Sequence, residues 1–258
     1  MTGTSRIGFV GVGRMGKNMA RRLNDRGYTI SAIHDSNSKE ANSLAQEISC
    51  EEAVSPARVA ELSDIVLTVV TDDAAMSNIF AEDSPSSLLC HAKGRLFINF
   101  ATISPEAHIR AETLVGQKGG TSLEALMASS ITQAREGTLY LMCGGKKSSF
   151  EQARLILQEL SSKLLYIGPA GEAAKVKALV NMVMNCNTAA LAEDWVSEVR
   201  LGLTWKCFVR SLVKQVRRRA FLKLTAKIWK IVIMSAIFLP PMQLKILESP
   251  SIWQSQLN

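Results

Sequence analysis

The chain has 258 residues, 47% of them apolar, enough to bury one large core or two smaller ones. Its formal net charge of +7 is uneven: residues 1–193 hold 19 Lys and Arg against 20 Asp and Glu, whereas residues 194–258 hold 11 against 3 and all four tryptophans. The first three quarters therefore lack the basic excess of a nucleic-acid or anionic-membrane binder, and five scattered cysteines (Cys50, Cys90, Cys143, Cys186, Cys207) without CxxC spacing or a histidine pair argue against a zinc site or disulfide framework.

MTGTSRIGFVG enters an apolar strand at Ile7, leaving no room for a secretory or mitochondrial presequence, so a cytoplasmic protein is expected. Ile7–Val10 reads as a strand, followed by a helix on which Met15, Met19 and Leu23 recur every fourth residue. YTISAIH (28–34) alternates like a second strand, and KEANSLAQEI follows as a helix behind the capping cluster SNS. DIVLTVVT (64–71) and RLFINF (95–100) read as strands buried on both faces, with helical SPEAHIRAETL after the latter. Strands alternating with helices predict an α/β fold with a doubly wound parallel sheet.

GFVGVGRMGKNMARRL (8–23) contains a GxGxxG whose context gives it meaning. It lies between a strand and a helix, and Asp35 ends the next strand. That arrangement predicts a dinucleotide site: Gly11 turns the chain, Gly13 admits the pyrophosphate, Gly16 packs helix on strand, and Val12, Arg14 and Met15 complete the turn. Asp35 can accept from the adenosine ribose, and Ser36, Asn37 and Ser38 provide no arginine for a 2′-phosphate, so NAD is favoured over NADP. A plain turn carboxylate is the alternative for Asp35.

Four stretches in order resemble the β-hydroxyacid dehydrogenase family, which includes the 3-hydroxyisobutyrate, tartronate-semialdehyde and 6-phosphogluconate dehydrogenases: GFVGVGRMGKNMARRL, FINFATISPE (97–106), ALMASSITQAREGTLYLMCGG (125–145) and YIGPAGEAAKVKALVNMVM (166–184). The resemblance covers about residues 6–193 and implies a Rossmann-type NAD(P) domain over 1–167, with 168–193 opening an all-helical C-terminal domain. It further implies hydride transfer between a nicotinamide and a small β-hydroxyacid. Counting from Gly168 places the family's catalytic lysine at Lys177, rather than Lys175, and its asparagine at Asn181, one helical turn on. A solvated helix lysine is the alternative reading. Thr102 stands where the family holds the nicotinamide ribose, beside Val70 and Thr71 at the preceding strand end. Ala128, Ser129 and Ser130 replace the usual Ser-Gly-Gly of the substrate loop; they read either as a carboxylate site or as a structural turn.

After Glu193 the pattern stops. Read one base out of register from the last base of that codon, Asp-Trp-Val becomes Gly or Arg, then Leu, then Gly, which restores the family-like AEGLG, and LKIL further on can become KDL. Residues 194–258 are therefore expected to be an aberrant, basic, out-of-frame tail, leaving the helical domain truncated or scrambled. IWKIVIMSAIFL (228–239) is too short to span a bilayer, and KQVRRRAFLKLTAKIWK (214–230) resembles a basic surface helix without needing to be one. No membrane, nucleic-acid or metal partner is expected. The family implies a homodimer, through a surface that this tail replaces, and a nucleotide-binding pseudoenzyme is the alternative function.

Overall fold

The computed structural model describes residues 5–202; the tail reading for 203–258 lies outside them. The first half runs β1 (Ile7–Val10), α1 (Gly16–Asp25), β2 (Ile30–His34), α2 (Ser38–Ile48), β3 (Glu51–Glu52), α3 (Pro56–Leu62), β4 (Ile65–Thr68) and α4 (Asp73–Ile79). After a 3-10 turn at Leu88–His91 come β5 (Leu96–Asn99), α5 (Pro105–Gln117), β6 (Thr121–Met127), α6 (Ile131–Glu136), β7 (Leu139–Gly145), α7 (Lys147–Leu160), β8 (Ser161–Gly168) and α8 (Glu172–Arg200).

The strands form one sheet in the order β3-β2-β1-β4-β5-β6-β7-β8. All neighbours from β3 to β6 are parallel; β7 runs antiparallel to β6, and β8 parallel to β7. The doubly wound sheet expected from the sequence is thus present, with one reversal. The connection there is brief: α6 ends at Glu136, and Gly137, at φ +72°, turns the chain almost at once into β7.

Both faces of the sheet are covered, which is why its strands read as unbroken apolar runs. Alternate residues serve opposite layers. Ile7, Phe9, Ile65, Leu67, Leu96 and Ile98 pack with Met19 and Leu23 of α1 and Leu157 of α7. Val10, Val66 and Phe97 pack on the other side with Val59 of α3, Met76 of α4 and Val115 of α5. Between the layers, the Thr68 hydroxyl donates to Asn99 Oδ1 at 2.7 Å and Asn99 Nδ2 donates to Ser122 Oγ at 3.0 Å, a buried polar row that fixes the register of three strands.

β4 is shorter than the run 64–71 suggested. Val69 still donates to the Val10 carbonyl at 2.8 Å, but β1 turns away at Gly11, so Val70 and Thr71 have no strand to pair with and enter a loop. The first compact unit ends at Leu179 and the second begins at Val180, within α8. The opening of α8 packs Ala173 and Ala174 on Leu126 and Met142 of β6 and β7.

Candidate active site

Gly11 sits at φ +92°, where a side chain is strained, and a Cβ there would meet the Val69 carbonyl. Gly16 starts α1 so close to the Gly11 carbonyl that a Cβ has no room. Gly13, by contrast, has nothing among the described residues within 4 Å of where its Cβ would stand. The first turn of α1 begins there, with Lys17 donating to the Gly13 carbonyl at 3.1 Å. A helix N-terminus behind an open, side-chain-free approach fits the pyrophosphate of a dinucleotide. Arg14 is exposed beside it, Met15 packs on the core and Val12 is buried.

Asp35 has a second task. Its Oδ2 accepts from Val12 N–H at 2.7 Å and its Oδ1 from Asn37 N–H at 2.8 Å, so the carboxylate ties the glycine turn to the end of β2. Oδ2 retains a further acceptor position for a ribose hydroxyl.

Because β1, β4, β5 and β6 are parallel neighbours, the chain leaves all four at one edge of the sheet. That edge gathers the glycine turn, Val70 and Thr71, Thr102, and Ala128–Ser130. Thr71 donates to Asp72 Oδ2 at 2.7 Å. Thr102 is exposed in a turn held by Ser104, whose N–H donates to Asp73 Oδ1 at 2.9 Å and whose hydroxyl caps α5 through Ala107 N–H at 3.2 Å.

The serine turn after β6 needs no glycine, since Ser49 is the one non-glycine residue at positive φ among the described residues. Part of its hydrogen-bonding capacity is spent internally. Ser130 N–H donates to Gln133 Oε1 at 2.8 Å, and Ser129 Oγ accepts from Tyr140 N–H at 2.9 Å. What remains for a carboxylate is the two hydroxyl protons and Ser129 N–H.

The two candidate lysines differ sharply. Lys175 is exposed and pairs with Glu172 Oε1 at 2.8 Å. Lys177 is only 8% exposed, and burial holds its ammonium below the ordinary lysine value. No ion pair reaches it among the described residues. Asn181, one turn further along α8, falls in the second unit and is half-buried.

Two residues that the sequence reading passed over stand between these pieces. Glu124 of β6 is buried, and its Oε1 accepts from Ala173 N–H at 3.0 Å, at the opening of α8. Burial pushes its carboxyl up to about 7. His108 of α5 is also buried; its Nε2 lies 3.3 Å from the carbonyl of Ala101, next to Thr102, and burial pushes its ring down to about 4. The available signal was a lone acid inside the apolar strand TSLEALM.

Comparison with known proteins identifies relatives of this fold. The family profile described as the NAD binding domain of 6-phosphogluconate dehydrogenase matches residues 6–168. The 2-(hydroxymethyl)glutarate dehydrogenase of Eubacterium barkeri is 29% identical over 200 residues, which is 77% of this chain and 65% of that one. The mitochondrial 3-hydroxyisobutyrate dehydrogenase of Homo sapiens is 29% identical over 210 residues, 80% of this chain and 60% of that one. The chain thus spans less than two thirds of the length of these relatives. Among solved structures, Mycobacterium tuberculosis 3-hydroxyisobutyrate dehydrogenase with L-serine superposes with a TM-score of 0.72 at 26% identity, covering 81% of this chain and 70% of that one. With its glycine turn, its sheet and this profile match, the chain belongs to the family of the 6-phosphogluconate dehydrogenase NAD-binding domain, and over most of its length it is similar to β-hydroxyacid dehydrogenases.

Proposed function

We propose that this protein transfers hydride between NAD and a small β-hydroxyacid, with Lys177 as general base in oxidation and general acid in reduction. The observation that carries the reading is the Lys177 ammonium, buried and without an ion-pair partner among the described residues. When bound, the nicotinamide supplies the hydride acceptor. Gly11, Val12, Gly13, Arg14, Met15 and Gly16 would hold its pyrophosphate, Asp35 the adenosine ribose, and Val70, Thr71 and Thr102 the nicotinamide side. Ser129 and Ser130, next to Ala128, would orient the substrate carboxylate. Neutral Lys177 Nζ takes the hydroxyl proton as hydride leaves the same carbon, and a lysine with a lowered pKa does so nearer neutral pH than a free one. Asn181 is proposed as the second group on that hydroxyl from its helical spacing alone.

The test is NAD reduction with a panel of small β-hydroxyacids by wild type and Lys177→Ala. Turnover is expected to fall by about 10²–10⁴ in kcat while NADH binding persists; unchanged turnover would refute the mechanism. The functional division proposed with this reading is 1–167 for the dinucleotide and 168–193 for the catalytic helix. The out-of-frame origin of 194–258 is checked by sequencing the transcript across the Glu193 codon. A cytoplasmic location and a homodimer are proposed as well. Imaging of the tagged chain and light scattering of the purified protein test them.

A further inference from the structure

We propose that Glu124, carrying a proton, and His108 are positioning residues that lock the opening turn of α8, and with it Lys177, to the Ala101–Thr102 turn. The inference rests on the roles given above to Lys177 and Thr102.

Hydrogen-bond accounting leads to it. The Ala101 carbonyl can only accept, so His108 Nε2 must donate to it, and the ring, which burial keeps neutral, then has a lone pair on Nδ1. Glu124 Oε1 is taken by Ala173 N–H. Nδ1 and Oε2 then face each other at 3.8 Å, both buried and neither with another partner among the described residues. An ionised carboxylate would set lone pair against lone pair in a site where unpaired polar groups are costly. One proton on Oε2 removes the conflict, and closing the gap by about 1 Å gives an ordinary hydrogen bond to Nδ1.

The surroundings favour that protonation state. Glu112 faces Glu124 from α5 and raises its carboxyl further, and the Cys143 thiol stands near it on β7; Asp73 of α4 and the Ala101 carbonyl favour a charged His108, but burial outweighs both and keeps the ring neutral. The backbone N–H groups of Gly171, Ala173 and Ala174 pull the other way, towards the ionised carboxylate, yet burial outweighs them. The room for the carboxyl is itself built in: a Cβ on Gly144 of β7 would overlap it. Beside the link, Gly171 stands against Pro105 and Ile109 of α5, so the start of α8 already touches the helix that carries His108.

The experiment is amide hydrogen exchange on the full chain at about pH 6 and about pH 8, corrected for intrinsic rates, in wild type, Glu124→Gln and Glu124→Ala. Glutamine can accept from Ala173 and donate to Nδ1 without titrating. Wild type is expected to lose about tenfold of its protection in 101–104 and 171–177 as pH rises, Glu124→Gln to keep it, and Glu124→Ala to lack it at both values. The same pH slope in wild type and Glu124→Gln overturns the proposal. So that it survives an unfolded alanine variant, nitrogen NMR of His108 in the unmodified chain provides a second reading. A neutral ring with its proton on Nε2 at about pH 6 supports the link, whereas a proton on Nδ1 overturns it. Turnover unaffected by Lys177→Ala would remove the functional reading and leave this exchange contrast standing, so the two failures are distinguishable.

Discussion

At the scale of single residues, the site contains groups that are costly to the fold. Lys177 is the clearest. A lysine whose folded pKa is lowered contributes stability only above its unfolded value, and that contribution is lost as pH falls through the folded one. Below the unfolded value the buried lysine therefore destabilises the native state. Lys177→Met is expected to raise Tm at pH 7 while abolishing turnover, with the gain shrinking at alkaline pH; calorimetry across pH checks it. Asp35, by contrast, helps to hold the fold, since its Oδ2 accepts from Val12 N–H. Asp35→Ala is expected to weaken NAD binding by about tenfold and to cost roughly 1 kcal/mol of stability, measured by titration and urea unfolding. At this scale the glycines, Asp35 and the lysines were legible in the sequence, because each is tied to a local motif. Glu124 and His108 were not: they lie in separate elements and meet only because β6 pairs beside β5 and α5 packs between them in sequence.

At the scale of elements, the turn between β1 and α1 joins two requirements that substitution can separate. Gly16 is fixed by packing, with the Gly11 carbonyl where its Cβ would be, whereas Gly13 borders open space. Gly16→Ala is expected to cost about 1–3 kcal/mol and shift the urea midpoint. Gly13→Ala should leave that midpoint nearly unchanged and weaken NADH binding by about tenfold or more, because its methyl occupies the approach of the pyrophosphate. Equal loss of stability in both variants would show that the turn as a whole, rather than the ligand, requires glycine. Periodicity identified the strands and helices here because both faces of the sheet are buried. It overran β4, since nothing in DIVLTVVT marks where the partner strand turns away, and it did not foresee the reversal at β7, made in a brief connection rather than within a strand.

At the scale of the molecule, the sheet places its contributions along one edge in the order β1, β4, β5, β6, and only afterwards does the chain reach α8. Spatial order along the edge is also order of synthesis. Chains fold from the N-terminus on as they emerge, and every strand end proposed to touch the nucleotide, up to Thr102, is synthesised before Lys177. A dinucleotide that binds those strand ends would stabilise the folded chain by mass action, so the ligand would act as a folding partner as well as a reactant.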